Sequence, residues 1–167
     1  MTATYAMPAT IARTNIMKPA QRKILLVDDD PGVRQILHRL LMDEDYLVFS
    51  AANGAEALRL AETTEIDLVL LDLNMPVKNG WETFEQFSIK NPLLPIILIT
   101  ARVNQFFPAL AAGVGALMEK PLDFVKLFHT IQDLLDEPED ARVARSLGRP
   151  AAFHHVPSKT GSPLKEG

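Results

Sequence analysis

Four short apolar runs, each ending in a polar residue, constrain this chain more than any other feature. Ile24-Leu25-Leu26-Val27 runs into Asp28-Asp29, Leu68-Val69-Leu70-Leu71 into Asp72, Ile96-Ile97-Leu98-Ile99 into Thr100, and Leu117-Met118 leads to Lys120-Pro121. Runs this short and this apolar predict parallel strands covered on both faces, so the residues that end them emerge at the carboxyl edge of one sheet. In open α/β sheets that edge is where ligands bind. Three carboxylates, a hydroxyl and an ammonium meeting there suit a divalent cation and a phosphoryl group.

Helical patterns alternate with these runs, the mark of a βα sandwich around a parallel sheet. The first helix follows Pro31, a residue suited to an N-terminal turn, and is expected to bury Val33, Ile36, Leu37, Leu40 and Leu41. A strand over Tyr46 to Ala51 comes next. Asn53 with Glu56 three residues on resembles a capping box for a helix whose inner face is Ala57, Leu58 and Ala61. A loop from Asn74 to Gly80 precedes a helix burying Trp81, Phe84 and Phe87, and the final stripe is Phe124, Leu127, Phe128, Ile131, Leu134 and Leu135. These patterns predict one globular unit over residues 23–136. Residues 1–22 show no periodicity and are expected to be a flexible extension. Residues 137–167, punctuated by Pro138, Pro150, Pro157 and Pro163, are expected to be a flexible tail with a short helix near 139–147, where Val143, Ala144 and Leu147 share a face.

Charge is unevenly spread. Residues 23–136 hold 17 acidic and 9 basic side chains, whereas residues 1–22 carry Arg13, Lys18 and Arg22 and no acid. An acidic globule repels phosphate backbones, so direct nucleic-acid binding by the core is not expected. The absence of cysteine excludes disulfides and thiolate metal sites. No apolar run is long enough for a membrane span, and the start lacks the apolar stretch of a secretory signal, so a cytoplasmic protein with an unstructured leader is expected.

At this point the chain resembles the receiver domains of two-component response regulators. The matching stretches are Ile24 to Pro31 (ILLVDDDP), Leu70 to Pro76 (LLDLNMP) with Gly80, Ile99 to Ala101 (ITA), and Lys120-Pro121 followed by Leu122-Asp123. The resemblance implies a flavodoxin-like doubly wound (βα)5 sandwich with a five-stranded parallel sheet in the order 2-1-3-4-5. It implies that Asp72 accepts a phosphoryl group from a histidine kinase or a phosphotransfer protein, with Lys120 and Thr100 assisting. It also implies a Mg2+ ion held by Asp29, Asp72 and the backbone carbonyl of Asn74, with Asp28 acting mostly through water. A hard cation that wants oxygen ligands suits such a set, because carboxylates packed together repel one another at neutral pH. A carboxylate is a competent nucleophile for phosphoryl transfer once the charge on the incoming oxygens is neutralised. Thr100 is then the switch, drawn toward the new charge, while Asn74 and Arg102 tune the lifetime of the acyl phosphate. The Lys120-Pro121 bond is expected to be cis.

The match weakens in three places. Leu117 stands where most receivers carry an aromatic that moves with the threonine. The segment from Thr100 to Gly113 is about two residues short and contains Phe106-Phe107-Pro108, which predicts a shortened helix beginning near Pro108 with one of the phenylalanines partly exposed, a partner or dimer contact. Lys78-Asn79 stands where a Met-Asp pair is common.

The expected function is a stand-alone receiver that signals by phosphorylation-dependent protein docking and catalyses only its own phosphorylation and dephosphorylation. Two alternatives stay open: a pseudo-receiver adaptor working without phosphorylation, and a haloacid-dehalogenase-like phosphatase. The second wants an aspartate two residues after the nucleophile, where this chain has Asn74. His154-His155 reads as an incidental pair rather than a metal site, and His38 and His129 as structural or solvent-facing residues. The sequence leaves room for a homodimer.

Overall fold

The computed structural model describes residues 20–76, 80–102, 104–149 and 153–158. Lys78 and Asn79 lie outside the described residues, as do residues 1–19 and 159–167. The elements follow in the order β1 (Lys23–Val27), α1 (Pro31–Asp43), β2 (Leu47–Ala51), α2 (Gly54–Thr63), β3 (Leu68–Asp72), α3 (Gly80–Lys90), β4 (Ile96–Thr100), α4 (Phe106–Ala111), β5 (Ala116–Glu119), α5 (Phe124–Leu135), α6 (Glu139–Ser146) and β6 (His154–Val156). The strands form one sheet in the order β2-β1-β3-β4-β5-β6, every neighbouring pair parallel. The doubly wound fold is the expected one, with a sixth strand added beyond β5.

The strand alternation divides the core into two layers. Leu25, Val27, Val69, Leu71, Leu98 and Leu117 face α2, α3 and α4, where Ala57, Leu58, Phe84, Phe87 and Ala109 meet them. Ile24, Leu26, Leu70, Ile97, Ile99 and Met118 face α1 and α5, where Leu37, Leu41, Leu127, Ile131 and Leu134 meet them. Each such side chain, fully removed from water, contributes about 1.5–3 kcal/mol. Helix starts follow the sequence chemistry. Asp30 caps α1 by accepting from the N–H groups of Gly32 and Val33 at 2.8 and 3.1 Å, with Pro31 in the first turn. Asn53 caps α2 through the Glu56 N–H at 2.9 Å, and the Glu56 carboxylate reaches back to the Ala52 N–H at 2.7 Å, one residue before the position a standard capping box uses.

Four expectations need correction. Ile36 and Phe124 are 57% and 40% exposed. Helical spacing identified the right faces of α1 and α5 but overstated their width: α1 meets the sheet through Leu37 and Leu41, and Ile36 lies round the helix from that contact. Helix α4 begins at Phe106, two residues before the expected start, so Pro108 falls in its first turn, where no N–H is needed. Phe107 is 77% exposed and Phe106 is half-buried against the core, as the Phe-Phe-Pro run suggested.

The fourth correction concerns the segment expected to be a flexible tail, which holds α6 and β6. The helix near 139–147 is present, and its two arginines fix it to the core. Arg142 donates to the carbonyls of Leu134, Leu135 and Glu137, which supplies partners for the open C-terminal end of α5. Arg145, 3% exposed, donates to both carboxylate oxygens of Glu137 and to the Gly113 carbonyl at 3.1 Å. Gly113 has φ +74°, and a Cβ there would lie 2.5 Å from the Arg145 carbonyl oxygen, so both backbone conformation and close approach require glycine. β6 then pairs Ala116 with His154, Leu117 with His155 and Met118 with Val156.

Candidate functional site

The three consecutive aspartates after β1 do three different things. Asp28 continues the strand line, its N–H donating to the Ala51 carbonyl, and its side chain is buried. Its Oδ1 accepts from the Asp30 N–H at 2.9 Å, while Oδ2 has no hydrogen-bond partner and lies 3.8 Å from Lys120 Nζ. Asp29 is exposed at the mouth of the site, and Asp30 is the cap of α1. Arg34 holds the turn by donating to the Asp28 carbonyl at 2.6 Å. That contact had no sequence signal, since an arginine one turn into a helix is ordinary.

Asp72 ends β3 next to them, 2% exposed. Its Oδ1 accepts from the Asn74 N–H at 2.9 Å, and its Oδ2 faces Lys120 Nζ at 3.3 Å. Oxygens of Asp28, Asp29 and Asp72 all lie within 4.8 Å of one another. The donor set fits a hard divalent cation: three carboxylates, one carrying a buried oxygen without a hydrogen bond, are served by one lysine. Burial pushes the Asp28 carboxyl above the usual carboxylate range, and the charges of Asp72 and Asp29 add to this. The Asp30 N–H and the Lys120 ammonium oppose it without cancelling it.

The lysine reaches the acids because β5 runs beside β4. Lys120 N–H donates to the Thr100 carbonyl at 2.8 Å, extending the ladder by one bond, and the Lys120-Pro121 peptide is cis, as expected. Thr100 ends β4 fully buried. Its Oγ1 accepts from the Arg102 N–H at 2.9 Å and stands 3.5 Å from Asn74 Oδ1. Asn74 Oδ1 also accepts from the Ala101 N–H at 2.8 Å, so this side chain ties the loop after β3 to the loop after β4. Such a brace leaves no mark in the sequence, where Asn74 is expected to act through its backbone carbonyl and on the lifetime of the acyl phosphate. Arg102 is exposed beside it. Leu117, the second switch candidate, is 1% exposed and packs in the layer beneath α4. Gly80 sits where a Cβ would lie 2.6 Å from the Asp72 carbonyl oxygen, so α3 starts directly against the end of β3.

Asp28, Asp29, Asp72, Thr100 and Lys120 therefore share one edge of the sheet, while Leu117 lies back along β5, opposite Leu98. The histidines stand elsewhere. Adjacent residues of a strand point to opposite faces, so His155 Nε2 meets Glu119 Oε1 at 3.0 Å while His154 Nδ1 lies 4.0 Å from Asp133 Oδ2. They do not form a chelating pair. His38 Nδ1 is 2.8 Å from Ser50 Oγ, a structural contact, and His129 is exposed.

Comparison with known proteins gives a consistent result. Residues 24–132 match the family model of the response regulator receiver domain. The chain is 36% identical over 126 residues to the transcriptional regulatory protein GlrR of Escherichia coli K12, covering 74% of this chain and 28% of that protein. The chain spans between about a quarter and a half of the length of the curated relatives it matches. Among solved structures, a CheY-like receiver domain protein of Methanospirillum hungatei matches at 31% identity with a TM-score of 0.67, over 72% of this chain and 98% of that one. TrrA of Thermotoga maritima, solved with Mg2+ and BeF, matches at 32% identity with a TM-score of 0.64, over 68% of this chain and 99% of that one. The same regulator has been solved in complex with the histidine kinase ThkA. With an acidic pocket, a buried threonine and a lysine on a cis proline bond at one sheet edge, the chain belongs to the receiver domain family of two-component response regulators.

Proposed function

We propose that this protein accepts a phosphoryl group on Asp72 from a histidine kinase or a histidine phosphotransfer protein, in a Mg2+-dependent reaction, and signals by docking to another protein. The single observation that carries this is Lys120 Nζ at 3.3 Å from Asp72 Oδ2, with the Asp28 and Asp29 carboxylates within reach of the same point. The complex of a structural relative with its kinase supports the donor class.

In the transfer, a carboxylate oxygen of Asp72 forms a bond to phosphorus as the bond from phosphorus to the donor imidazole nitrogen breaks, and the imidazole leaves with its electron pair. Asp28, Asp29, Asp72 and the Asn74 carbonyl would hold Mg2+, which supplies positive charge to the transferring phosphoryl oxygens. Lys120, already facing Asp72, follows the negative charge onto the phosphoryl group as a mobile point charge. Thr100 Oγ1 surrenders the Arg102 N–H and donates to a phosphoryl oxygen, which moves the loop that begins α4. Asn74 and Arg102 flank the acyl phosphate and set how readily water reaches it. The chain does no chemistry beyond its own phosphorylation and dephosphorylation. The proposal extends to a receiver core that works in the cytoplasm and does not itself bind nucleic acid. Cell fractionation and a DNA-binding titration check those points.

Incubation with acetyl phosphate and Mg2+ is expected to give a base-labile adduct at Asp72, found by mass spectrometry of the intact chain. Chelation of the metal or Asp72→Asn abolishes it. An adduct that forms equally without metal, or on another residue, overturns the proposal.

A further inference from the structure

We infer that β6 is a strap whose seat on β5 is coupled to the phosphorylation site, so that modification of Asp72 loosens it and exposes the β5 edge. This deepens the phosphoacceptor reading and rests on it.

β6 lies outside the span matched by the family model, which ends at residue 132. It meets two segments that adjoin the site. On the face toward α4, the Phe106 ring packs edge to face on Phe153 at 5.5 Å and lies 5.2 Å from the His155 ring. Phe106 is the first residue of the helix that follows the Thr100 loop. On the side toward the lysine, Glu119 accepts from the Ser158 N–H at 3.1 Å and bonds His155 at 3.0 Å. Glu119 pairs with Thr100 across the sheet and immediately precedes Lys120. The strap is thus held by one group from each of the two segments that carry the moving parts.

The strap is also lightly anchored. β6 has three residues and no fully buried side chain, whereas β3 and β4 at the centre of the sheet are buried throughout. Elements with few buried apolar contacts open at low free energy. Its contacts complement the arrangement in which Thr100 Oγ1 takes the Arg102 N–H. A phosphoryl group that draws Thr100 away displaces the Arg102 loop and with it Phe106, so the modified form holds β6 less well. Coupling of this kind is reciprocal, so removing the strap must favour the modified form by the same factor.

Hydrogen exchange of the full chain with and without Mg2+ and beryllofluoride tests this. The expected result is faster exchange, roughly fivefold or more, at residues 154–158 and along Ala116–Glu119 when the mimic binds. Phe153→Ala, which removes the ring but leaves the pocket intact, is expected to bind the mimic about fivefold more tightly. A second variant pins the strap: Ala116→Cys with His154→Cys joins register partners in a chain with no other thiol. Its oxidised form is expected to bind the mimic more weakly than its reduced form. If the mimic binds and alters exchange around Thr100 while residues 154–158 stay unchanged, the strap inference is overturned and the phosphoacceptor reading stands. If no mimic binds, both fall. Equal affinity of Phe153→Ala, or of the two redox forms, also overturns the strap.

Discussion

Asp28 and Arg145 are both buried charges, and the molecule treats them in opposite ways. Arg145 is met on every side: three bonds to Glu137 and one to the Gly113 carbonyl. Asp28 keeps an oxygen without a hydrogen bond, stands among two further carboxylates, and has its carboxyl raised by burial. A buried charge that is fully paired holds a structure together, while one left short of partners costs stability and is retained for what it can bind. The region around α6 is therefore built for holding, and the strand-end pocket is left short of partners in a way that suits a cation.

The largest way to break that comparison is Arg145→Ala. It leaves Glu137 and the Gly113 carbonyl without their partner and is expected to destabilise the fold by about 3 kcal/mol, read from urea unfolding. Next comes Gly113→Ala, which forces a Cβ against the Arg145 carbonyl at positive φ; a loss of about 2 kcal/mol is expected by the same measurement. Asp28→Asn should act with the opposite sign. Without metal it relieves repulsion and raises the urea midpoint, while Mg2+ affinity, followed by calorimetry, falls by about 10–100-fold. A stability loss comparable with that of Arg145→Ala would sink the distinction.

The pH dependence sharpens it further. A carboxyl raised in the folded state binds more protons folded than unfolded, so the Asp28 penalty is full above its folded pKa. It shrinks as pH falls toward the unfolded value. Glu119 goes the other way. Burial alone would raise it, but the bonds from His155 and the Ser158 N–H outweigh that and hold its carboxyl below the usual range. Its contribution is present above the unfolded pKa and is lost as pH falls through the folded one. In metal-free protein, mild acidification should therefore steady the pocket before stronger acid frees β6, the smallest of these effects, resolved by exchange at single amides.

Much of the pocket was legible because strand ends are set by where apolar runs stop: Asp28, Asp72, Thr100 and Lys120 each follow such a run and each arrives at the same edge. The α6 region was only half legible. Val143, Ala144 and Leu147 show a helix, but the helix is fixed by Arg142 and Arg145, whose value lies in carbonyls and a carboxylate brought to them by folding. β6 had almost no signal. Phe-His-His-Val lacks the apolar alternation of a strand, and it becomes one because the β5 edge offers a register and Glu119 offers an anchor. Ile36 and Phe124 failed for a different reason: periodicity gives the direction of a helix face and says nothing about how far the neighbouring layer extends.

Because β6 runs parallel to β5, the chain passes Ser158 at the same rim as Asp72, whereas residues 20–22 lead into β1 at the opposite rim. A reporter inserted directly after Ser158 starts beside the mouth of the acidic pocket. One inserted directly before residue 20 starts at the far rim and leaves that mouth clear.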